Sequence, residues 1–172
     1  MAVNQQRWIV VLIVFPLLAL GTLFYILHVK NQHPSEVKNH AKTPLEFKDN
    51  TVQCPQCFMY LVGEKHTAQI IDGKGKTTFF DDIGCAILWL KEQKIEPKNV
   101  AIWAFSLDTH RYIDALKAYY TLTESTPMLY GFGAYENPKE ASVDFWEMRL
   151  KMLRGENMSD PKVRQKLLGR EP

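Results

Sequence analysis

The sulfur side chains that could do chemistry are concentrated in one short stretch, CPQCFM, at residues 54–59. Cys54 and Cys57 are separated by two residues, a spacing at which a turn brings two thiolates within reach of one metal ion or of each other. Met59 adds a thioether two positions later. Because soft sulfur ligands select Cu(I) over harder divalent ions, this stretch predicts a Cu(I) site.

Two further sulfur atoms lie elsewhere in the chain. Cys85 is in the first turn of a predicted helix, where the helix dipole lowers the pKa of an exposed thiol, although a lone helical cysteine is more often a small buried residue. Met128 is in a glycine-flanked loop, as a core residue or as a soft ligand. Both are candidate ligands with these alternatives open.

The CxxC motif has a redox alternative. Haem attachment is excluded, because that motif needs His after the second cysteine and Phe58 stands there. A thioredoxin-like pair belongs at the start of a helix, whereas a β-hairpin is predicted to follow Cys57. A membrane-bound thiol-disulfide oxidoreductase using Cys54 and Cys57 remains the alternative function.

Zinc and a plain disulfide are the structural alternatives. A structural zinc site needs about four ligands, and only three residues could complete the set, namely Cys85, His66 and His110. The sequence does not decide whether either histidine joins the site. A disulfide between Cys54 and Cys57 would close a loop too small to stabilise much.

The elements that must position these residues begin with a predicted hairpin. Residues 67–71 and 76–80 read as strands around an Asp-Gly turn. A helix is predicted over 83–93, with Asp81 or Asp82 as its N-cap. Cys85 would therefore be delivered by the first turn of a capped helix.

The rest of the chain completes a predicted α+β domain. Residues 100–107 predict a central strand buried on both faces. Residues 111–120 fit helix and strand equally, 125–133 read as a loop, and 138–153 predict a helix. The tail at 155–172 is charged and is predicted to be a loosely held, solvated helix or coil.

The N-terminal part predicts a membrane anchor. After a flank at 1–7, residues 8–29 contain no Asp, Glu, Lys or Arg and are long enough to cross about 30 Å of hydrocarbon as one transmembrane helix. The run is too long for the core of a signal peptide, and no cysteine precedes Cys54 to carry a lipid. Residues 30–50, polar with two prolines, predict a linker.

Charge and length limit the remaining possibilities. The chain has 172 residues, and those outside the apolar run suffice for one domain, predicted at 51–154. The formal net charge of +2 gives no basic excess of the kind that nucleic-acid binding needs. Lysines after the apolar run outnumber Arg7 before it, which weakly favours a cytoplasmic C-terminal domain. The orientation stays open on charge alone.

Taken together, the motifs resemble the NosL family, copper-binding accessory proteins of nitrous oxide reductase maturation. The resemblance is carried, in this order, by CPQCFM at 54–59, AQIIDGKGKTTFFDDIGCAILWL at 68–90, YIDALKAYY at 112–120 and TPMLYGFGAY at 126–135. It implies a small α+β domain of two related halves, similar to the organomercury lyase core. It also implies a protein of the bacterial inner membrane whose domain binds Cu(I) in the periplasm without turnover.

The same resemblance implies the ligands and the partners. The implied copper ligands are Cys54, Cys57, Met59, Met128 and, less directly, Cys85. The implied recipient is a membrane transporter or assembly complex, or a copper enzyme, with nitrous oxide reductase as the expected target. Two departures stand out: Phe58 replaces the usual glycine before the methionine, and a transmembrane helix replaces a lipidated N-terminal cysteine.

Overall fold

A computed structural model of the chain describes residues 10–30 and 34–169, which fall into two units divided after His33. The first unit contains a π-helical stretch, Val10–Val14, and helix α1, Phe15–Lys30. Within the described residues, no helix has both the length and the apolar character required to cross a bilayer. The predicted membrane span begins at Trp8, and Trp8 and the flank at 1–7 lie outside the described residues.

The second unit is built on a four-stranded antiparallel sheet. Strands β1 (Ala68–Ile71) and β2 (Thr77–Phe80) form the predicted hairpin, with Ala68 opposite Phe80. Strand β3 (Ala101–Phe105) lies between β1 and β4 (Tyr112–Asp114), giving the order β2-β1-β3-β4. The predicted central strand is confirmed, and the residues that fitted helix and strand equally contribute β4.

The prediction that the central strand is buried on both faces was wrong. Ile102 and Ala104 are buried, whereas Ala101 and Trp103 on the opposite face are only partly covered. An antiparallel sheet packs one face on the core and leaves the other more accessible, so side chains alternate along the strand. The apolar run in the sequence hid this alternation because Trp103 is itself apolar.

Helix α2 (Ile83–Glu92) packs on this sheet, as predicted. Of the two candidate caps, Asp82 is the one used, since its side chain accepts a 2.8 Å hydrogen bond from the backbone N–H of Gly84. Cys85 lies in the first turn of this helix and is fully buried. The cap therefore fixes the position at which the helix presents Cys85.

A second hairpin and helix follow. Strands β5 (Tyr119–Thr121) and β6 (Gly133–Tyr135) form a separate antiparallel pair, joined by the loop that contains Met128. Helix α3 (Phe145–Arg154) packs against α2. An antiparallel pair followed by a helix thus occurs twice in the second unit, once with α2 and once with α3, although the first pair belongs to a larger sheet.

Helix α3 begins later than the sequence predicted. Residues 139–142 form a turn in which Ala141 has a left-handed φ of 54°, which a continuing right-handed helix does not allow. Asp144 then caps α3 by accepting from the backbone N–H of Glu147 at 2.8 Å. The tail contains a short helix, α4 (Pro161–Leu167), with no buried residue, although Asn157 before it is buried.

Part of the predicted linker lies against the sheet. The amide of Gln69 exchanges hydrogen bonds of 2.9 and 2.8 Å with the backbone of Leu45, and the indole N–H of Trp103 donates to the carbonyl of Lys42. The rings of Phe47 and Phe79 meet edge to face. These contacts cover the second face of the sheet, which explains how Trp103 is partly sheltered.

Candidate metal centre

The CPQCFM stretch forms the tip of a small hairpin. Gln53 pairs with Tyr60 as an isolated antiparallel bridge. Inside it, the backbone N–H of Cys54 donates to the carbonyl of Met59, and the N–H of Phe58 donates to the carbonyl of Cys54, both at 2.9 Å. Two backbone hydrogen bonds thus hold the loop that carries Cys54 and Cys57.

Phe58 has a backbone conformation that favours glycine. Its φ is 63°, in the left-handed region, while its side chain is 69% exposed and gains little from packing. This is the position at which the NosL pattern has glycine. The cost of this left-handed conformation, about 1 to 2 kcal/mol for a residue with a Cβ, therefore falls on Phe58.

Three thiols and one carboxylate meet beside this hairpin. Each of Cys54, Cys57, Cys85 and Asp81 offers one donor atom, and these four atoms lie within 4.8 Å of one another. Cys57 is partly exposed and the other three are buried. The cluster is therefore assembled from the hairpin tip, the end of β2 and the first turn of α2, and it could hold a metal ion.

Cys54 is held in a setting that favours the thiolate. The Cys85 thiol has the largest influence on its pKa, and the backbone N–H groups of Cys57, Asp81 and Gln56 act in the same direction. Although burial opposes ionisation, these donors lower the pKa of Cys54 from 9.0 to about 7. A substantial fraction of this thiol is therefore ionised close to neutral pH.

The other two thiols are held protonated. Burial raises the pKa of Cys57 to about 12, and the side chains of Asp81 and Cys54 act in the same direction. The Cys57 thiol donates to Oδ1 of Asp81 at 3.2 Å. The pKa of Cys85 is raised well above its ordinary range because its thiol donates to Cys54 and is buried. Among the three thiols, ionisation is thus favoured at Cys54.

Asp81 is a member of the cluster that the sequence analysis missed. It was considered there only as a helix cap, a role that Asp82 takes. Asp81 is 4% exposed, and its Oδ2 has no hydrogen-bond partner. The signal in the sequence was the pair Asp81-Asp82 before a helix, since one N-cap position leaves the second carboxylate free for another role.

A loop that follows β5 covers the start of α2. The ring of Tyr130 lies so close to Gly84 that a Cβ on Gly84 would come within 2.3 Å of it. Burial raises the pKa of Tyr130 to about 12. Tyr130 thus shields the first turn of α2, next to Cys85.

Asp82 ties the same loop to the helix. Burial raises its pKa to about 6, and the Thr126 hydroxyl and the backbone N–H groups of Gly84 and Met128 oppose that shift. Met128 is partly buried against the core. Its backbone therefore faces the residue directly after Asp81, which places the predicted ligand Met128 in the loop that borders the cluster.

The structure brings together three of the five predicted ligands: Cys54, Cys57 and Cys85. Met59 directs its backbone N–H to the sulfur of Cys57, while its side chain is 44% exposed. Met59 and Met128 stay predicted ligands. Neither His66 nor His110 belongs to the cluster.

Comparisons with known proteins include a similar solved structure. No family model matches the chain, and no curated protein matches it. Among solved structures, the chain is similar to the copper chaperone NosL from Shewanella denitrificans, with 17% identity and a TM-score of 0.42 over 57% of this chain and 82% of that one. The neighbour bears the family name that the sequence motifs indicate, but a likeness this loose says nothing of what the residues of this chain bind.

Proposed function

We propose that this protein binds one Cu(I) ion at the cluster of Cys54, Cys57 and Cys85 and passes it on as a copper chaperone. The observation that carries the proposal is that these three thiols converge within 4.8 Å. Three soft sulfur donors suit Cu(I) better than any harder ion. No catalytic step is proposed.

The state of the thiols suits capture and release. Cys54 offers a thiolate near neutral pH, and Cu(I) displaces the protons of Cys57 and Cys85 as it binds. A site that must expel protons binds less tightly than one already ionised. The ion is therefore held by sulfur and still exchangeable.

Transfer would begin at Cys57, because it is the one cysteine of the cluster that is partly exposed. An incoming sulfur ligand of an acceptor can reach Cu(I) there while Cys54 and Cys85 still hold it. The neighbouring tip residues Phe58, Met59 and Tyr60 are exposed and apolar, and would shield the exchange from water. Met59 would add its thioether from this edge.

The recipient and the location follow from the family that the motifs resemble. We propose a periplasmic copper enzyme, with nitrous oxide reductase as the target, reached directly or through a membrane transporter or assembly complex. The apolar run at 8–29 would anchor the chain in the inner membrane. Leu12 to Leu27 carry many exposed apolar side chains, among them Phe15 and Phe24, which need a nonaqueous surrounding. Anchoring would raise the effective concentration of the donor beside its acceptor.

A thiol-disulfide oxidoreductase is the competing function, and the thiol arrangement disfavours it. Disulfide exchange needs an accessible thiol with substantial thiolate character. Here the thiol with the lowered pKa, Cys54, is fully buried, whereas the partly exposed Cys57 has its pKa raised to about 12. The accessible thiol is thus the poor nucleophile.

Anaerobic titration of Cu(I) into the reduced full chain in detergent, against a chromophoric competitor, tests the proposal. We expect one ion per chain, with affinity lowered about tenfold or more by Cys54→Ala, Cys57→Ala or Cys85→Ala, as for removal of a metal ligand. Met59→Leu and Met128→Leu are expected to weaken binding, while Met158→Leu serves as the control.

The outcomes separate the competing functions. Failure of the wild-type protein to compete for Cu(I) would overturn the chaperone proposal. Equal Cu(I) affinities for Met59→Leu and the control Met158→Leu would show that Met59 is not a ligand. A redox pair would also tolerate the loss of Met59. Unfolding on chelation would instead indicate a structural metal.

A further inference from the structure

Asp81 presents an unused ligand atom to the thiol cluster. Its side chain is 4% exposed, and Oδ1 accepts from the Cys57 thiol while Oδ2 has no partner. A buried polar atom without a partner is unusual in folded proteins and is unfavourable. The structure therefore maintains an unfavourable arrangement at the carboxylate that, among the described residues, reaches the cluster.

Capping does not explain that arrangement. The N-cap hydrogen bond of α2 is made by Asp82, and the backbone N–H of Asp81 is already directed at the sulfur of Cys54. The Asp81 carboxylate contributes no other hydrogen bond to the described part of the chain than the one it accepts from Cys57. Both its backbone and its side chain thus face the thiols.

The donor set is one that a divalent ion prefers. Cu(I) is satisfied by soft sulfur alone, so a carboxylate oxygen adds little to its binding. Zn²⁺ and ions of its class favour four ligands in a tetrahedron and accept sulfur and carboxylate oxygen together. Three sulfurs and one oxygen within 4.8 Å of one another supply such a set after a small contraction.

We propose that Asp81 is a fourth metal ligand, through which the cluster also binds a divalent tetrahedral ion of the Zn²⁺ class. The inference rests on the same thiols as the proposed copper function and deepens it. Cu(I) would be held by sulfur without Asp81, whereas a divalent ion would recruit Asp81 Oδ2. The thiol protons of Cys57 and Cys85 pass to solvent when the ion binds. Asp81 would thus decide which ions the site accepts.

Anaerobic titration with Co²⁺ tests the proposal, because the visible absorption of this ion reports coordination number and thiolate ligands. We expect the reduced full-length protein to give the intense spectrum of a tetrahedral thiolate complex. Asp81→Asn should weaken Co²⁺ binding about tenfold or more and alter the spectrum, and it should change the affinity for Cu(I) by a smaller factor. Asp114→Asn, at an exposed carboxylate paired with Lys117, is the matched control.

A second variant keeps the test decisive if Asp81→Asn folds poorly. Asp81→Cys should retain the tetrahedral spectrum and add absorption from a fourth thiolate. A weak octahedral Co²⁺ spectrum in the wild-type protein, or identical Co²⁺ binding by wild type and Asp81→Asn, would overturn the role of Asp81. If the Co²⁺ results exclude Asp81 as a ligand while the wild-type protein still binds Cu(I), the proposed copper function stands. If the wild-type protein fails to bind Cu(I), only the copper function is overturned.

Discussion

The sulfur atoms of Cys85 and Cys54 lie within 4.8 Å of each other. This proximity joins the tip of the CPQCFM hairpin to the first turn of α2, two elements that are distant in sequence. The two cysteines are nevertheless unequal, since the pKa of Cys54 is lowered to about 7 whereas that of Cys85 is raised well above its ordinary range. The cluster is thereby set in place before any ion arrives.

The backbone of Phe58 gives a first prediction. Because its φ is 63° and its side chain is exposed, Phe58→Gly should raise the free energy of unfolding by about 1 kcal/mol relative to Phe58→Ala, which loses the same ring but keeps a Cβ. Denaturant unfolding of both variants measures the difference. Equal stabilities would show that the turn is not strained at this residue.

The contact between Gly84 and Tyr130 gives a second prediction. A methyl group at Gly84 would lie 2.3 Å from the Tyr130 ring, so Gly84→Ala should displace the covering loop and destabilise the domain by about 1 to 3 kcal/mol. Gly73→Ala is the control, because nothing lies within 4 Å of its added Cβ. A Gly84→Ala protein as stable as the control would contradict this packing.

His66 gives a prediction about pH. Burial lowers its pKa below 6.5, and its Nδ1 is buried without a partner, so the neutral ring is the folded form. A group whose pKa is lowered on folding stabilises the protein above its unfolded pKa, and that contribution is lost as the pH falls through the folded value. Relative to His66→Asn, the wild-type protein should therefore lose stability as the pH is lowered from 7 to about 5.

The comparison with His66→Asn is essential in this window. The pKa of Asp82, raised to about 6, titrates there with the opposite sign, and its effect cancels in the difference between the two proteins. Asparagine also tolerates the left-handed φ of 68° at this position. Parallel pH profiles from denaturant unfolding would contradict the prediction.

The sequence predicted those parts of the fold that local chemistry determines. The Asp-Gly turn between β1 and β2 and the acidic cap of α2 are signals carried by a few adjacent residues, and both were found. The late start of α3 was missed because the turn at Ala141 has a left-handed backbone, and an alanine in the sequence gives no indication of that conformation. The contact of Trp103 with Lys42 joins segments that no periodicity connects.

The sequence predicted the cysteine ligands of the candidate site but not the carboxylate of Asp81. Cys54 and Cys57 were predicted from their spacing, and Cys85 from its place in the first turn of a predicted helix. Asp81 had no such mark, because a carboxylate before a helix is expected to cap it. Only the fold shows that Asp82 takes that role and leaves Asp81 facing the thiols.

X-ray absorption at the copper edge of the full chain loaded with one equivalent of Cu(I) tests the central claim most directly. The proposed site predicts a first shell made of sulfur alone, with fewer sulfur neighbours in Cys85→Ala than in the wild-type protein. A first shell dominated by nitrogen or oxygen, or one unchanged by Cys85→Ala, would contradict copper binding by the three converging thiols.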